Sequence, residues 1–302
     1  MKNGPHILVC SDSGTGKSTF AATAIHPRNP RPVLVQLFDP RDKGTPYRRR
    51  GDSVVVEDWE HGQRERIFAD GKEVAIIERW HERQGYSSSG ITMKGGKKVG
   101  TLTKAPEAGM FERYLDRMRF FEEEQHDYFA FVLDSTTFME LAVRAFLASR
   151  MRVSDNQMIW AQAADELERF LVNFLPDLDI TTIVLAHVNP EPVADASGVQ
   201  YVTRLPGRLK RDLQAAFGEV YRAYTVRHSG EAGVEDEYLL QTRPDGKWRC
   251  SSQLGVPDPM PQDFRYVRKA FTTMAKNRPH LLAQSANTSN TNPNSNPEGD
   301  QE

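Results

Sequence analysis

The most constraining stretch of this chain is Ser11-Asp12-Ser13-Gly14-Thr15-Gly16-Lys17-Ser18. It follows an apolar run, His6-Ile7-Leu8-Val9-Cys10, and precedes a helical pattern, Thr19-Phe20-Ala21-Ala22-Thr23-Ala24-Ile25. The order is strand, phosphate loop, helix. Such a loop turns its backbone N–H groups inward onto phosphate oxygens, a conformation that a Cβ obstructs, and Gly14 and Gly16 meet that need. Lys17 brings a point charge to the phosphates, Ser18 a hydroxyl to Mg²⁺, and the helix that begins there its positive dipole end. Ser13, Gly14, Thr15, Gly16, Lys17, Ser18 and Thr19 are therefore the expected nucleotide contacts. Ser11 stands where the usual pattern has its first glycine, so the start of the loop is expected to differ while the phosphate-cradling half is intact.

Composition narrows the setting. A chain of 302 residues with 38% hydrophobic content can bury a large α/β core, and the patterns below favour one core over two. Lys+Arg 39 against Asp+Glu 41 leaves a net charge of -2, so no global basic field advertises nucleic acid and any such site is a local patch. The two cysteines, Cys10 and Cys250, make neither a metal spacing nor a disulfide framework and read as buried small hydrophobes in a reducing compartment. Met1-Lys2-Asn3-Gly4-Pro5 leads into the first strand without a signal-peptide pattern, and no apolar run reaches the length of about 18 residues a membrane span needs. A soluble cytoplasmic protein is the expectation.

Along the chain, Pro27, Pro30 and Pro32 stop the first helix, and Val33-Leu34-Val35-Gln36-Leu37-Phe38 reads as a buried parallel strand ending in Asp39-Pro40-Arg41-Asp42. Carboxylates at a strand's C-terminal edge fit a catalytic role or an ordinary turn. Residues 57–105 read as a β insertion, with a hairpin pairing Arg66–Ala69 with Glu73–Ile77 across Asp70-Gly71 and a basic, glycine-rich loop from Tyr86 to Gly100. A helix with Phe111, Tyr114, Leu115, Met118 and Phe121 on one face then leads to Tyr128-Phe129-Ala130-Phe131-Val132-Leu133-Asp134-Ser135. Asp134, closing an apolar strand after a phosphate loop, is the expected Mg²⁺ partner opposite Ser18.

Two amphipathic helices follow, one expected to turn Phe138, Leu141, Ala142, Ala145 and Phe146 inward, the other Trp160, Ala163, Ala164, Leu167, Phe170, Leu171 and Phe174. Ile180–Ala186 is another buried strand, and His187 at its end fits either a γ-phosphate contact or a strand-end cap. A long loop, 188–205, leads to Arg204, Arg208, Lys210 and Arg211, which suit a phosphate-backbone patch or a solvated helix face. Strands at 219–226, 238–242 and 247–251 form an expected antiparallel edge, and a last helix lies within 261–277. The tail, 281–302, is polar and acidic and is expected to be disordered, leaving 1–280 as one domain.

With the phosphate loop, Asp39, Asp134-Ser135 and His187 in place, residues 5–255 resemble the RecA-like recombinase ATPases, and most of all their small phage-encoded single-strand-annealing members. The motifs that carry the likeness are the loop, Val132-Leu133-Asp134-Ser135, and Leu185-Ala186-His187 followed by Leu205-Pro206-Gly207-Arg208-Leu209. The resemblance implies a mostly parallel sheet with antiparallel edges, ATP and Mg²⁺ as cofactors, and ATP hydrolysis. It makes Asp39, with Asp42 as a fallback, the residue that polarises the attacking water, an aspartate where the recombinases generally have glutamate. His187 becomes the sensor and 188–205 the DNA-binding segment. A basic residue supplied by a neighbouring subunit, Arg243 with Lys247 or Arg249, would complete the site, which implies self-association as a ring or filament. The function so implied is an ATPase acting on single-stranded DNA in phage recombination or annealing, in an infected or lysogenic bacterial cell, with a single-strand-binding or replication protein as a further partner. The rivals are an ATP-dependent switch or loader for a helicase or packaging complex, and a small-molecule kinase, which the lack of a lid-like Arg-rich segment disfavours.

Overall fold

In a computed structural model of the chain the described residues are 4–39, 44–80, 91–94, 97–100, 109–151, 156–193, 198–230 and 233–277. Asp42, part of the glycine-rich loop at 86–100, and the tail 281–302 lie outside them. The first half of the chain runs β1 (His6–Ser11), α1 (Lys17–Ala22), β2 (Val33–Leu37), α2 (Thr45–Arg48), β3 (Ser53–Trp59), β4 (Gly62–Ala69), β5 (Lys72–Arg79), β6 (Ile91–Lys94), β7 (Lys97–Gly100), α3 (Gly109–Glu124) and β8 (Ala130–Asp134). The second half runs α4 (Thr136–Met151), α5 (Asn156–Glu168), a π-helical stretch at Arg169–Phe174, α6 (Leu175–Asp177), β9 (Thr181–Pro192), β10 (Val199–Thr203), α7 (Leu209–Asp212), β11 (Glu219–Gly230), β12 (Gly233–Gln241), β13 (Ser251–Ser252), β14 (Met260–Pro261) and α8 (Phe264–Asn277).

Twelve strands form one sheet in the order β14-β12-β11-β1-β9-β8-β2-β5-β4-β3, with β10 on β9 and β13 on β11. From β11 to β5 every neighbouring pair is parallel. Parallel strands flanked by helices are buried on both faces, which is why β1 and β8 read as apolar runs and β2 is interrupted only by Gln36, whose amide donates to Glu78. Alternate residues serve opposite layers: Leu8 packs with α3, α4 and α5 residues, Ile7 and Val9 with Phe20 of α1 and Phe264 of α8. The antiparallel strands sit at the two margins, β4 and β3 on one side, β12 and β14 on the other. The expected mixed α/β sheet is therefore present.

Four details complete or correct the sequence reading. The Asp70-Gly71 hairpin forms, with Asp70 at φ 53 and Gly71 at φ 72, and the sequence left open where its strands attach: β5 pairs in parallel with β2, so they extend the main sheet. Lys247–Cys250 forms no strand; β12 pairs with β11 and only Ser251–Ser252 joins it from this stretch. The long loop after His187 is mostly an antiparallel ribbon, because β9 runs on to Pro192 and pairs with β10. Finally, α4 buries Met139, Val143 and Leu147 while Leu141 is 44% exposed, and α5 buries Ile159, Ala163 and Leu167 while Trp160 is 43% exposed. Adjacent helix positions lie about 100° apart, so a helix apolar on several sides does not declare which side faces in.

Candidate nucleotide site

The phosphate loop leaves β1 at the C-terminal edge of the parallel strands, where α/β sheets bind ligands. Gly14 and Gly16 adopt φ 84 and 89, the left-handed region that other residues rarely enter. Gly16 is required twice over: a Cβ there would lie 2.4 Å from Gln262 Oε1 and 2.8 Å from Tyr238 Cδ1. The departure at Ser11 has a structural job. Its buried hydroxyl contacts the Thr15 hydroxyl and accepts from Lys17 Nζ at 3.1 Å, closing the loop on itself. Lys17 Nζ also donates to the carbonyls of Ser11 and Asp12, at 3.1 and 2.7 Å, which holds the ammonium across the cradle.

β9 lies between β1 and β8, so the ends of three adjacent strands converge, with Ser11 opposite His187 and Asp134 opposite Leu185. Ser18 Oγ donates to Asp134 Oδ2 at 2.7 Å, bringing together groups 116 residues apart. Tyr47 donates to the same oxygen at 2.8 Å. Burial pushes the Asp134 carboxyl above its usual range and the nearby Asp39 charge adds to this; the bonds from Ser18 and Tyr47 and the charge of Lys17 oppose it. Burial and the Asp134 charge likewise keep the Tyr47 phenol protonated, a fixed donor. Two hard oxygen donors side by side, next to a phosphate cradle, fit a Mg²⁺ ion that takes its other ligands from water and phosphate. Among the described residues no group of three or more His, Cys, Asp or Glu is arranged to hold a metal alone.

Asp39 is buried directly beyond β2, whose Leu37 pairs with Asp134. His187 is half-buried and lines the nucleotide pocket with Ser13, Gly14, Gly16, Lys17, Ser18, Thr19, Asp134 and Tyr238. Its backbone N–H donates to Thr137 Oγ1 at 3.3 Å, and its ring meets Phe138 edge-on at 6.2 Å. Cys10 and Cys250 are both buried, and burial pushes both thiols up to about 12, so they are protonated packing groups.

Sequence reasoning missed Tyr47, Tyr238 and Gln262. Gln262 Nε2 donates to Thr15 O at 2.8 Å and to Leu239 O at 3.1 Å, tying β12 and β14 to a loop 247 residues away. No local signal marks it, since its partner is a backbone carbonyl. Asp263-Phe264 does start a recognisable helix, and Gln262 is the residue before it.

The basic residues divide. Arg208 pairs with Glu168, and Lys210 and Arg211 pair with Glu191, whereas Arg204 is exposed beside them. Arg243, Lys247 and Arg249 are exposed on the segment after β12 and do not line the nucleotide pocket. Among the described residues no helix is long and apolar enough to cross a membrane.

No curated protein matches this sequence. A family model described as an AAA domain matches residues 3–278, which spans the loop, the whole sheet and α8. The matched span includes the glycine cradle, its buried lysine and the Ser18–Asp134 pair, and the chain belongs to the AAA-domain family of P-loop ATPases.

Proposed function

We propose that this protein is a Mg²⁺-dependent ATPase of RecA-like type that acts on single-stranded DNA in recombination or annealing, in a phage or prophage setting. The observation that supports it is a shared wall: Ser13 and His187 line both the nucleotide pocket and a second, larger cavity bordered by Arg204 and Lys210. A side chain common to both sites can make hydrolysis depend on what occupies the second.

Each residue has a task in this reading. The loop N–H groups and Lys17 hold the phosphates, Ser18 and Asp134 hold the metal, and Asp39 orients the attacking water. Mg²⁺, when bound, neutralises charge that develops on the phosphate oxygens. His187 contacts the terminal phosphate and, through Thr137 and Phe138, answers to the second cavity. Arg243, with Lys247 or Arg249, is offered to a neighbouring copy in a ring or filament.

The ion pairs that occupy Arg208, Lys210 and Arg211 favour a second reading, an ATP-dependent switch or loader that works through a protein partner. Steady-state ATP hydrolysis without DNA, with single strands and with duplex, against Lys17→Ala as background, separates the two. Strong single-strand stimulation supports the first reading; hydrolysis indifferent to both DNAs refutes it and favours the second. Wild-type turnover by Lys17→Ala would sink the loop assignment itself.

A further inference from the structure

The second cavity measures about 520 Å³, twice the 260 Å³ of the nucleotide pocket, and opens between α4, α5 and the β9–β10 ribbon. Its lining is unusual for a surface facing water. Trp160 and Leu141 are 43% and 44% exposed, and Phe138 is half-buried beside them. The Arg144 guanidinium sits 4.0 Å from the centre of the Trp160 ring, and the buried carboxylate of Glu140 pairs with it. That ion pair fixes the guanidinium against the indole, so the two planar groups act as one platform. Across the opening lie Asn189, Arg204 and Lys210, the last ion-paired with Glu191, which also lines the cavity.

A π-platform beside cations selects its ligand. An apolar molecule would strip water from the exposed Arg204 guanidinium and offer it no acceptor, and a duplex keeps its base faces inside its own stack. A single strand offers both parts, base faces for stacking and phosphates for the cations. We propose that this cavity seats one unstacked base of a single strand on Trp160 and Arg144, with the adjoining phosphates toward Arg204 and Lys210. The proposal rests on the single-strand reading above and says which side chains read the strand. A base seated here touches Phe138, whose ring meets His187 at the phosphate end of the nucleotide pocket.

The test uses the full chain with Mg²⁺ and a non-hydrolysable ATP analogue, titrated against a labelled thymine-only oligonucleotide and an abasic oligonucleotide of equal length. Stacking one base predicts that the parent prefers the thymine strand about tenfold, that Trp160→Ala loses most of that preference, and that Trp160→Phe keeps it. Because Trp160 is exposed, its replacement spares the core, and a circular dichroism melt verifies this. Thymine binding unchanged in Trp160→Ala, or equal binding of the two strands by the parent, overturns the proposal while the single-strand reading stands. Binding of neither strand by the parent overturns that reading, and this one with it.

Discussion

Replacing Gln262 with leucine removes a clamp from the phosphate loop without emptying its site. The amide donates firmly to Thr15 O at 2.8 Å and Leu239 O at 3.1 Å, while the contact to Tyr224 O, at 3.5 Å, is marginal. Two hydrogen bonds at about 1 kcal/mol each are lost, together with some cost for the carbonyls left short. Against this, Gln262 Oε1 is buried with no partner, so leucine also removes an unsatisfied acceptor that itself costs about 1–3 kcal/mol. The terms largely offset, so the net loss of stability is about 0–2 kcal/mol, a fall in Tm of at most roughly 8 °C for a domain of this size. Nucleotide binding should suffer more. Thr15 loses its tether, and fixing one released residue costs about 1–2 kcal/mol, which weakens ATP about 5- to 30-fold. Gln262→Glu should be worse on both counts, because it turns a carboxylate oxygen toward carbonyl oxygens. Calorimetric titration with an ATP analogue, paired with thermal melts, reads both quantities. A leucine variant with reduced Tm but parental ATP affinity would refute the reasoning and reduce Gln262 to a sheet-edge packing group.

Asp134→Asn should abolish hydrolysis without lowering Tm. A folded pKa raised above the unfolded value of about 3.9 means that the ionised carboxylate costs stability at neutral pH, and asparagine keeps an acceptor for Ser18 and Tyr47. A clear drop in melting temperature would contradict this. Glu65 has the opposite sign: although burial pushes its carboxyl up, the bonds from Arg48 at 2.7 Å and Arg79 at 2.6 Å hold it below the usual range. Its contribution is present above the unfolded pKa of about 4.3 and lost as pH falls through the lower folded value. Glu65→Gln should therefore cost about 3 kcal/mol at pH 7, roughly 6–12 °C, with the gap to the parent closing in acid; a gap constant with pH would exclude the ion-pair account. Arg208→Ala with Lys210→Ala should flatten the salt dependence of single-strand binding by about 1.4 log units per log unit, from two contacts at about 0.7 each, and an unchanged slope moves the DNA site elsewhere. Glu191→Gln, by releasing Lys210 and Arg211, should tighten the same binding; no change would mean these cations do not face the strand.

What could be read without the structure shares one property: both partners lie close in sequence, or one of them is a bare strand end. β1, the glycine loop and α1 are a single local unit whose turn chemistry, lysine and hydroxyl are spelled out in consecutive residues. Asp134 and His187 were legible because an apolar parallel strand that stops at a polar residue marks the ligand edge of the sheet. The inward faces of α4 and α5 were not, since both helices carry apolar residues on more than one side, and the residue misplaced on α5, Trp160, turned out to line a cavity. The patch at Arg204–Arg211 was legible as charge but not as availability, because Glu168 and Glu191 arrive from other elements.

Consecutive residues alone dictated that a strand, a phosphate cradle and a helix follow one another, the local unit of a P-loop ATPase domain. Strand order was beyond it. That β9 lies between β1 and β8, that β5 extends the sheet beyond β2, and that Tyr47 and Gln262 brace the cradle from distant segments are decisions of tertiary packing. The physical reason is that hydrogen-bond geometry along a few residues is encoded by their own conformational preferences, whereas which buried surfaces meet depends on every competing surface in the chain at once.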